Sequence, residues 1–168
     1  MKKNFYILFL FLVAYAYGQS NEEYWVKWNA NYPAVDIISV LEHEKSYADS
    51  VEKNPDIPPY YVRQAGYRFK SVYLGKIRTT DKEVMASMER VFSLLIGDPK
   101  QLDGMIENEV LFRVGKEDIW MPIQPQILKA LKEEVKKGDT VTLYCLFLNE
   151  HNSKNMLYNT FFISEFCQ

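Results

Sequence analysis

The hydrophobic pattern is strongest near the C-terminus, where a polar stretch separates two apolar runs. Val141–Leu148 is apolar at nearly every position, which is typical of a strand covered on both faces. Met156–Phe166 alternates more regularly, and Asn149–Asn155 between them is wholly polar and rich in turn-forming residues. The pattern predicts a β-hairpin in the middle of the hydrophobic core.

Three further segments have the pattern of strands. Tyr67–Ile77 alternates aromatic with partly basic positions, which predicts one buried and one solvated face. Glu109–Val114 and Ile119–Ile123 flank a short polar turn and predict a second hairpin. Pro122 places the end of that hairpin at an edge or a bulge, because proline cannot donate to a strand ladder.

Two helices are predicted between and after these strands. Thr80 and Glu83 form a capping box that begins a helix over Asp81–Ile96, whose apolar stripe indicates core packing. Gln126–Lys136 carries a second apolar stripe with lysines at its C-terminal end and a glycine beyond it.

The N-terminal part of the mature chain is also predicted to be helical. A helix from Ala34 ends at or before Asn54, where a proline-rich connector begins. A short helix within Gln19–Asn31 places Trp25 and Trp28 on one side. These rings suit either a platform for a sugar or peptide or a lid over the core, and their amphipathic spacing favours the lid.

Together the elements predict an α+β fold in one domain. We expect a mainly antiparallel curved sheet of about five strands packed with three to four helices, because two local hairpins impose antiparallel pairing. A half-open barrel is the specific expectation. A flat sheet with helices on one side is the alternative.

Residues 1–18 have the pattern of a cleaved signal peptide. Lys2 and Lys3 precede the apolar run Phe5–Val13, and small residues precede a cleavage position after Gly18. The run is well short of the roughly 20 residues of a membrane-spanning helix, so an anchor is the weaker alternative. The protein is therefore predicted to be exported, either periplasmic or secreted.

The rest of the chain is predicted to comprise an N-terminal helical segment, residues 19–54, and an α+β body, residues 55–168. Removing Lys2 and Lys3 from the 20 basic residues, against 22 acidic ones, changes the net charge from −2 to −4. This acidity gives no electrostatic reason to expect nucleic acid, and leaves a protein or a glycan as the expected partner. No later segment is apolar enough to cross a membrane.

The two cysteines are not expected to form a disulfide. If Asn149–Asn155 is the turn, Cys145 faces Asn159 and Cys167 lies, frayed, beyond the far end of the hairpin. At about 3.3 Å per residue the two sulfurs would be some 25 Å apart, whereas a disulfide needs Cα atoms within about 7 Å. A different pairing of the strands would change this expectation.

No spacing of residues predicts catalysis, a metal site or a cofactor. His43 and Glu44 begin a zinc-protease motif, but Tyr47 occupies the position of its second histidine. His151 is expected in the hairpin turn, about 20 Å from Cys145 along the strand, whereas a nucleophile and its base lie within about 3 Å.

The candidate ligand-binding residues are Arg68, Lys70 and Lys76 on the basic strand face, with Tyr60 and Tyr61 in the loop beside it. Cations next to stacking rings suit an anionic polysaccharide or a single-stranded nucleic acid. The simpler alternative is an ordinary solvated strand face, and strand alternation favours it because it turns the rings of the strand away from the cations.

The run KKGDTVTLYCLFL, followed by an aromatic strand, resembles small uncharacterised exported proteins of Gram-negative bacteria over roughly the last forty residues. That resemblance carries no functional residue. The order of strand, hairpin, helix and hairpin is similar to that of the oligonucleotide/oligosaccharide-binding barrel, which has one helix between its third and fourth strands. The helix Asp81–Ile96 departs from that plan.

Two hypotheses for function follow. The first is a non-catalytic exported binding or envelope-interaction module of unknown ligand, supported by the 15% aromatic content and the lack of catalytic spacing. The second is a periplasmic or secreted hydrolase whose site forms only in the fold, from residues such as His43, Glu107 or Glu109. A histidine in a cleft with two carboxylates, or with Cys145, would favour the hydrolase.

Overall fold

The computed structural model describes residues 21–168, and the predicted signal peptide lies outside the described residues. The elements are α1 (Asn21–Asn31), α2 (Ile37–Lys53), β1 (Tyr61–Thr79), α3 (Lys82–Leu95), a 3-10 turn (Pro99–Leu102), β2 (Asn108–Val114), β3 (Glu117–Ile123), α4 (Pro125–Glu134), β4 (Thr140–His151) and β5 (Leu157–Cys167). The prediction of an α+β fold is confirmed.

The five strands form a closed ring in the order β1-β2-β3-β5-β4, in which β4 pairs back with β1. Neighbouring strands are antiparallel except β3 and β5, which run parallel and are in register at one pair, Ile123 and Ile163. The mainly antiparallel curved sheet is therefore as predicted. Because β4 pairs with β1, the flat-sheet alternative is wrong.

β1 closes the ring because it pairs with two strands in succession. Tyr61 to Val72 pair with β4, and Val72 to Thr79 pair with β2. The register with β2 shifts between Tyr73 and Ile77, and Gly75 within this bulge has a φ of 69°. Glycine adopts this left-handed conformation without steric cost, so the strand can bend sharply there.

The interior of the ring is one hydrophobic cluster, to which each strand contributes alternate side chains. Its strand members are Phe69, Tyr73, Val110, Phe112, Val114, Met121, Ile123, Val141, Leu143, Cys145, Phe147, Phe161, Ile163 and Phe166. Ile37 of α2 and Leu128 and Leu131 of α4 belong to the same cluster. Since interior side chains of a ring can be reached only through its openings, these two helices cover the openings.

A second cluster lies outside the ring, where α3 covers β4 and β5. Met88 and Val91 of α3 pack there with Leu146, Leu148 and Phe162. β4 is thus buried on both faces, with one set of side chains in the interior and the other under α3. This explains why Val141–Leu148 is apolar at nearly every position, as its sequence indicated.

The C-terminal hairpin is longer than predicted. β4 continues through Asn149, Glu150 and His151, each of which is fully buried despite being polar. The prediction of a turn over residues 149–155 is therefore wrong, and the turn begins at Asn152. Asn149, Glu150 and His151 are tolerated in the strand because each has a hydrogen-bond partner, without which burial is costly.

The register of this hairpin also changes the environment of the cysteines. Cys145 lies opposite Ile163, and Cys167 lies opposite Thr142 in the strand ladder, so Cys167 is not frayed. Both cysteines are free in this structure. Cys167 is four residues from the partner of Cys145, and not eight, so the predicted separation of some 25 Å is wrong. Burial raises the pKa of the Cys145 thiol well above its usual value.

A helix between β3 and β4 of a five-stranded ring is also part of the plan of the oligonucleotide/oligosaccharide-binding barrel. The insertion of α3 between β1 and β2 departs from it, as the sequence indicated. Shared topology of this kind describes a fold and leaves function to be argued from a site.

Candidate functional site

The outer face of β1, β2 and β3 carries four exposed cations beside an aromatic ring. Strand register places these side chains together, because Arg78 lies opposite Glu109, Arg113 opposite Asp118, and Trp120 opposite Leu111. The residues that define the outer face below are Lys70, Lys76, Arg78, Arg113 and Trp120.

Arg78 and Trp120 form the centre of the outer face. The Arg78 guanidinium lies 4.3 Å from the centroid of the Trp120 ring, and its Nε donates to Glu109 Oε2 at 2.7 Å. The backbone N–H of Asp81 donates to the same oxygen at 3.3 Å. Glu109 is almost completely buried and holds the guanidinium in place from the protein side. The Arg78 side chain remains 43% exposed.

Arg113 extends the outer face along β2. Its Nε and Nη2 donate to the two carboxylate oxygens of Asp118 at 2.7 and 3.0 Å. Hydrogen bonding from Arg113 lowers the pKa of Asp118, and the positive charges of Arg113 and Lys76 add to this effect. Lys76 therefore lies close to this pair, although it is 42 residues away in the sequence from Asp118, and both lysines of the outer face are exposed.

Arg68 has a different role from the one predicted. Its Nη1 donates to the backbone oxygens of Asn29 at 2.8 Å and Tyr32 at 2.7 Å, at the C-terminal end of α1. A cation at this end of a helix satisfies carbonyl groups that lack intrahelical partners. The backbone of Arg68 also bridges to Ala34. Arg68 thus fastens α1 to the sheet, and its guanidinium is engaged there.

We expect Arg68→Gln to release α1. The change should lower the free energy of unfolding by about 2 kcal/mol, the contribution of charged hydrogen bonds of this kind. It should also shift tryptophan emission to longer wavelength, because Trp25 and Trp28 both pack on Tyr144. Lys70→Gln, two residues along the same exposed face, is the matched control and should leave the emission unchanged. An unshifted spectrum in Arg68→Gln would contradict this role.

Tyr60 and Tyr61 point to opposite sides of the start of β1. Tyr61 faces the interior side, where its ring stacks on His151 at a centroid distance of 5.2 Å. Tyr60 is 40% exposed outside, and Lys76 lies beyond the bulge near the other end of β1. The structure therefore does not bring the five predicted residues onto one surface, and only Lys70 and Lys76 belong to the outer face.

The aromatic residues of α1 pack on the outer side of the sheet, over Tyr144, and do not cover the core as their spacing favoured. Trp25 stacks on Tyr144 at 5.3 Å, and Trp28 meets the same ring edge-on at 5.6 Å. The Tyr144 hydroxyl donates to Asn29 Oδ1, and the Tyr24 hydroxyl donates to Glu165. Tyr144 is buried beneath these rings. The aromatic side of α1 is thus used in packing on the sheet.

The two histidines lie in different environments. His43 is exposed on α2, whereas His151 is fully buried, so its predicted place in a turn is wrong. His151 Nδ1 must donate to the Pro59 oxygen at 2.6 Å, because a carbonyl only accepts. Its Nε2 lies 3.1 Å from Glu52 Oε1. The imidazole joins α2, the connector after it and β4, and it is closed to solvent.

The residues named for a hydrolase lie in different environments. Glu107 is exposed, and Glu109 is engaged by Arg78 on the outer face. Cys145 lies six residues before His151 on the same strand, about 20 Å away in an extended chain. Within residues 21–168, no three His, Cys, Asp or Glu side chains are grouped to hold a metal ion.

Trp120 and Arg113 were missed by the sequence interpretation, although a signal for them was present. Ile119, Met121 and Ile123 point inward, so alternation places Trp120 outside on a strand beside Arg113. A tryptophan on the solvent side of a strand needs a covering group, and here Arg78 provides it. The pairing of Arg78 with Trp120 joins two strands and requires the fold.

No helix of the described residues has the length and apolar character needed to cross a membrane. The chain matches no protein-family model, and searches of curated proteins and of solved structures likewise gave no match.

Proposed function

We propose that this protein is a non-catalytic exported binding module that binds an anionic glycan through the outer face. The supporting observation is the Arg78 guanidinium held over the Trp120 ring, with Arg113 and Lys76 beside it. A flat aromatic ring offers apolar contact to a sugar, and the flanking cations offer ion pairs to its carboxylate or sulfate groups.

The charge balance of the outer face supports an anionic ligand of modest charge density. Four cations face two acids, Glu109 and Asp118, and both acids are already paired with arginines. Lys70 and Lys76 are exposed and supply the unbalanced charge. Nucleic acid is a poorer fit, because the whole chain is acidic and binding to phosphate backbones is dominated by net positive charge.

Binding to polygalacturonate, a linear carboxylated glycan, tests the proposal. We expect Lys70→Gln/Lys76→Gln to weaken binding by roughly tenfold at low ionic strength, and less at high salt because exposed charges are screened. Trp120→Ala should weaken binding at all salt concentrations, since it removes the stacking surface. Isothermal titration calorimetry at two salt concentrations measures both effects.

The matched control is Lys129→Gln/Lys132→Gln on α4, which changes the net charge equally at exposed positions outside the outer face. It should bind as the unmodified protein does. Equal weakening in the two double variants would show that only overall charge matters. Such a result, or unchanged binding in Trp120→Ala, would remove the outer face as the site.

A further inference from the structure

An open groove lies on the surface between α3 and the start of β1. Its volume is about 400 Å³, and it is shallow and opens widely to solvent. The lining residues are Tyr60, Glu89, Arg90, Ser93, Leu94 and Pro99. Leu94 is 58% exposed, so an apolar side chain faces solvent where the helix meets the groove.

Arg90, which lines the groove, is paired with a carboxylate buried behind it. Arg90 Nε donates to Glu150 Oε1 at 2.6 Å, and Arg90 Nη2 donates to Glu150 Oε2 at 2.8 Å. Glu150 is fully buried, whereas the Arg90 side chain is 43% exposed. Burial of a carboxylate is costly, so the pair contributes little net stability compared with apolar packing. What it does provide is a rigid guanidinium at a fixed place in the groove.

The geometry of this pair leaves one edge of the guanidinium available. Glu150 engages the edge formed by Nε and Nη2, and among the described residues no hydrogen bond or ion pair involves Nη1. A guanidinium matches a carboxylate in two parallel hydrogen bonds, and a second edge can bind a second carboxylate. Tyr60 and Leu94 supply apolar contact beside it.

We propose that the groove binds a small monocarboxylate with a compact apolar body, which pairs its carboxylate with Arg90 and packs its apolar part on Tyr60 and Leu94. Glu89 also lines the groove and Glu150 already balances the charge of Arg90, so the ligand is held by hydrogen bonds to the guanidinium and carries no more than one negative charge. The site therefore excludes the polyanions expected at the outer face. The two sites use different residues, so either one can exist without the other.

Titration with N-acetyl-leucine, followed by the amide signals of the protein in two-dimensional NMR, tests the proposal. We expect saturable shifts at Tyr60, Ser93 and Leu94, and at least tenfold weaker binding of N-acetyl-leucinamide, which has the same shape without the charge. Arg90→Lys should weaken binding about tenfold as well, because lysine keeps the charge and loses the planar fork.

Leu94→Asp should leave the fold intact, since Leu94 is largely exposed. It should abolish binding of the acid by placing a negative charge in the groove. Leu95→Asp adds the same charge one residue along α3, outside the groove lining, and should retain binding. Equal binding of acid and amide, equal loss in both aspartate variants, or no saturable shift in the unmodified protein would overturn the proposal.

Discussion

Arg90→Met is expected to lower the free energy of unfolding by about 3 kcal/mol at neutral pH, because it leaves the Glu150 carboxylate buried without its counter-charge. Methionine replaces much of the apolar stem of arginine, so the loss reports the charge more than the packing. Urea unfolding at pH 7 measures the difference between variant and unmodified protein.

The pH dependence of this difference has a definite sign. Burial raises the pKa of Glu150, but hydrogen bonds from Arg90 and Ser87 and the charge of Arg90 outweigh it, so the pKa lies below its usual value. The pair therefore adds stability above about pH 4.3, and this contribution is lost as pH falls through the folded-state pKa.

In Arg90→Met nothing outweighs the burial of Glu150, so the pKa of this carboxyl lies above its usual value. The variant should therefore lose stability as pH rises. The stability difference between the two proteins should then be largest at pH 7 and should narrow towards pH 4. Arg90→Met/Glu150→Gln removes both charges and should recover part of the loss. A difference that is the same at both pH values would contradict this account of Glu150.

The second large effect is expected from Phe161→Ala in the ring interior, with a loss of about 4 kcal/mol in the free energy of unfolding. Phe161 is fully buried, stacks on Phe147 at 4.9 Å and meets Phe69 edge-on at 5.7 Å. Three strands close around these rings, so the structure has little freedom to collapse into the space that the substitution leaves.

Chemical denaturation of Phe161→Ala beside Leu95→Ala tests this estimate, because Leu95 is an exposed apolar side chain of the same protein. Leu95→Ala should change stability by less than about 0.5 kcal/mol, as surface substitutions usually do. If Phe161→Ala cost no more than Leu95→Ala, the interior cluster would not be the main source of stability.

Local patterns in the sequence were sufficient for the type and order of the elements. Hydrophobic periodicity indicated three to four helices and about five strands, because most of these elements bury one side against one of the two hydrophobic clusters. Boundaries were less predictable. The N-cap of α3 is Asp81, whose carboxylate accepts from the N–H groups of Glu83 and Val84, so the predicted capping box of Thr80 and Glu83 is wrong. Both side chains are good caps, and only the path of the backbone decides between them.

Buried polar residues account for the largest errors. Asn149, Glu150 and His151 were assigned to a turn because polar side chains are usually exposed, yet their partners come from α2, α3 and β5. Contacts of this kind join residues that are distant in the sequence, so no local pattern reports them. The role of Arg68 was missed for the same reason, because its partners at the end of α1 could not be inferred from strand alternation.

The double pairing of β1 has a consequence for the order in which the chain acquires its structure. The first half of β1 has no strand partner until β4 is available, since Tyr61 pairs with His151, ninety residues later. Until then the segment presents unpaired backbone groups, which are a template for association between chains. Protection from aggregation during synthesis therefore depends on β4, and closure of the ring is a non-local step that slows folding.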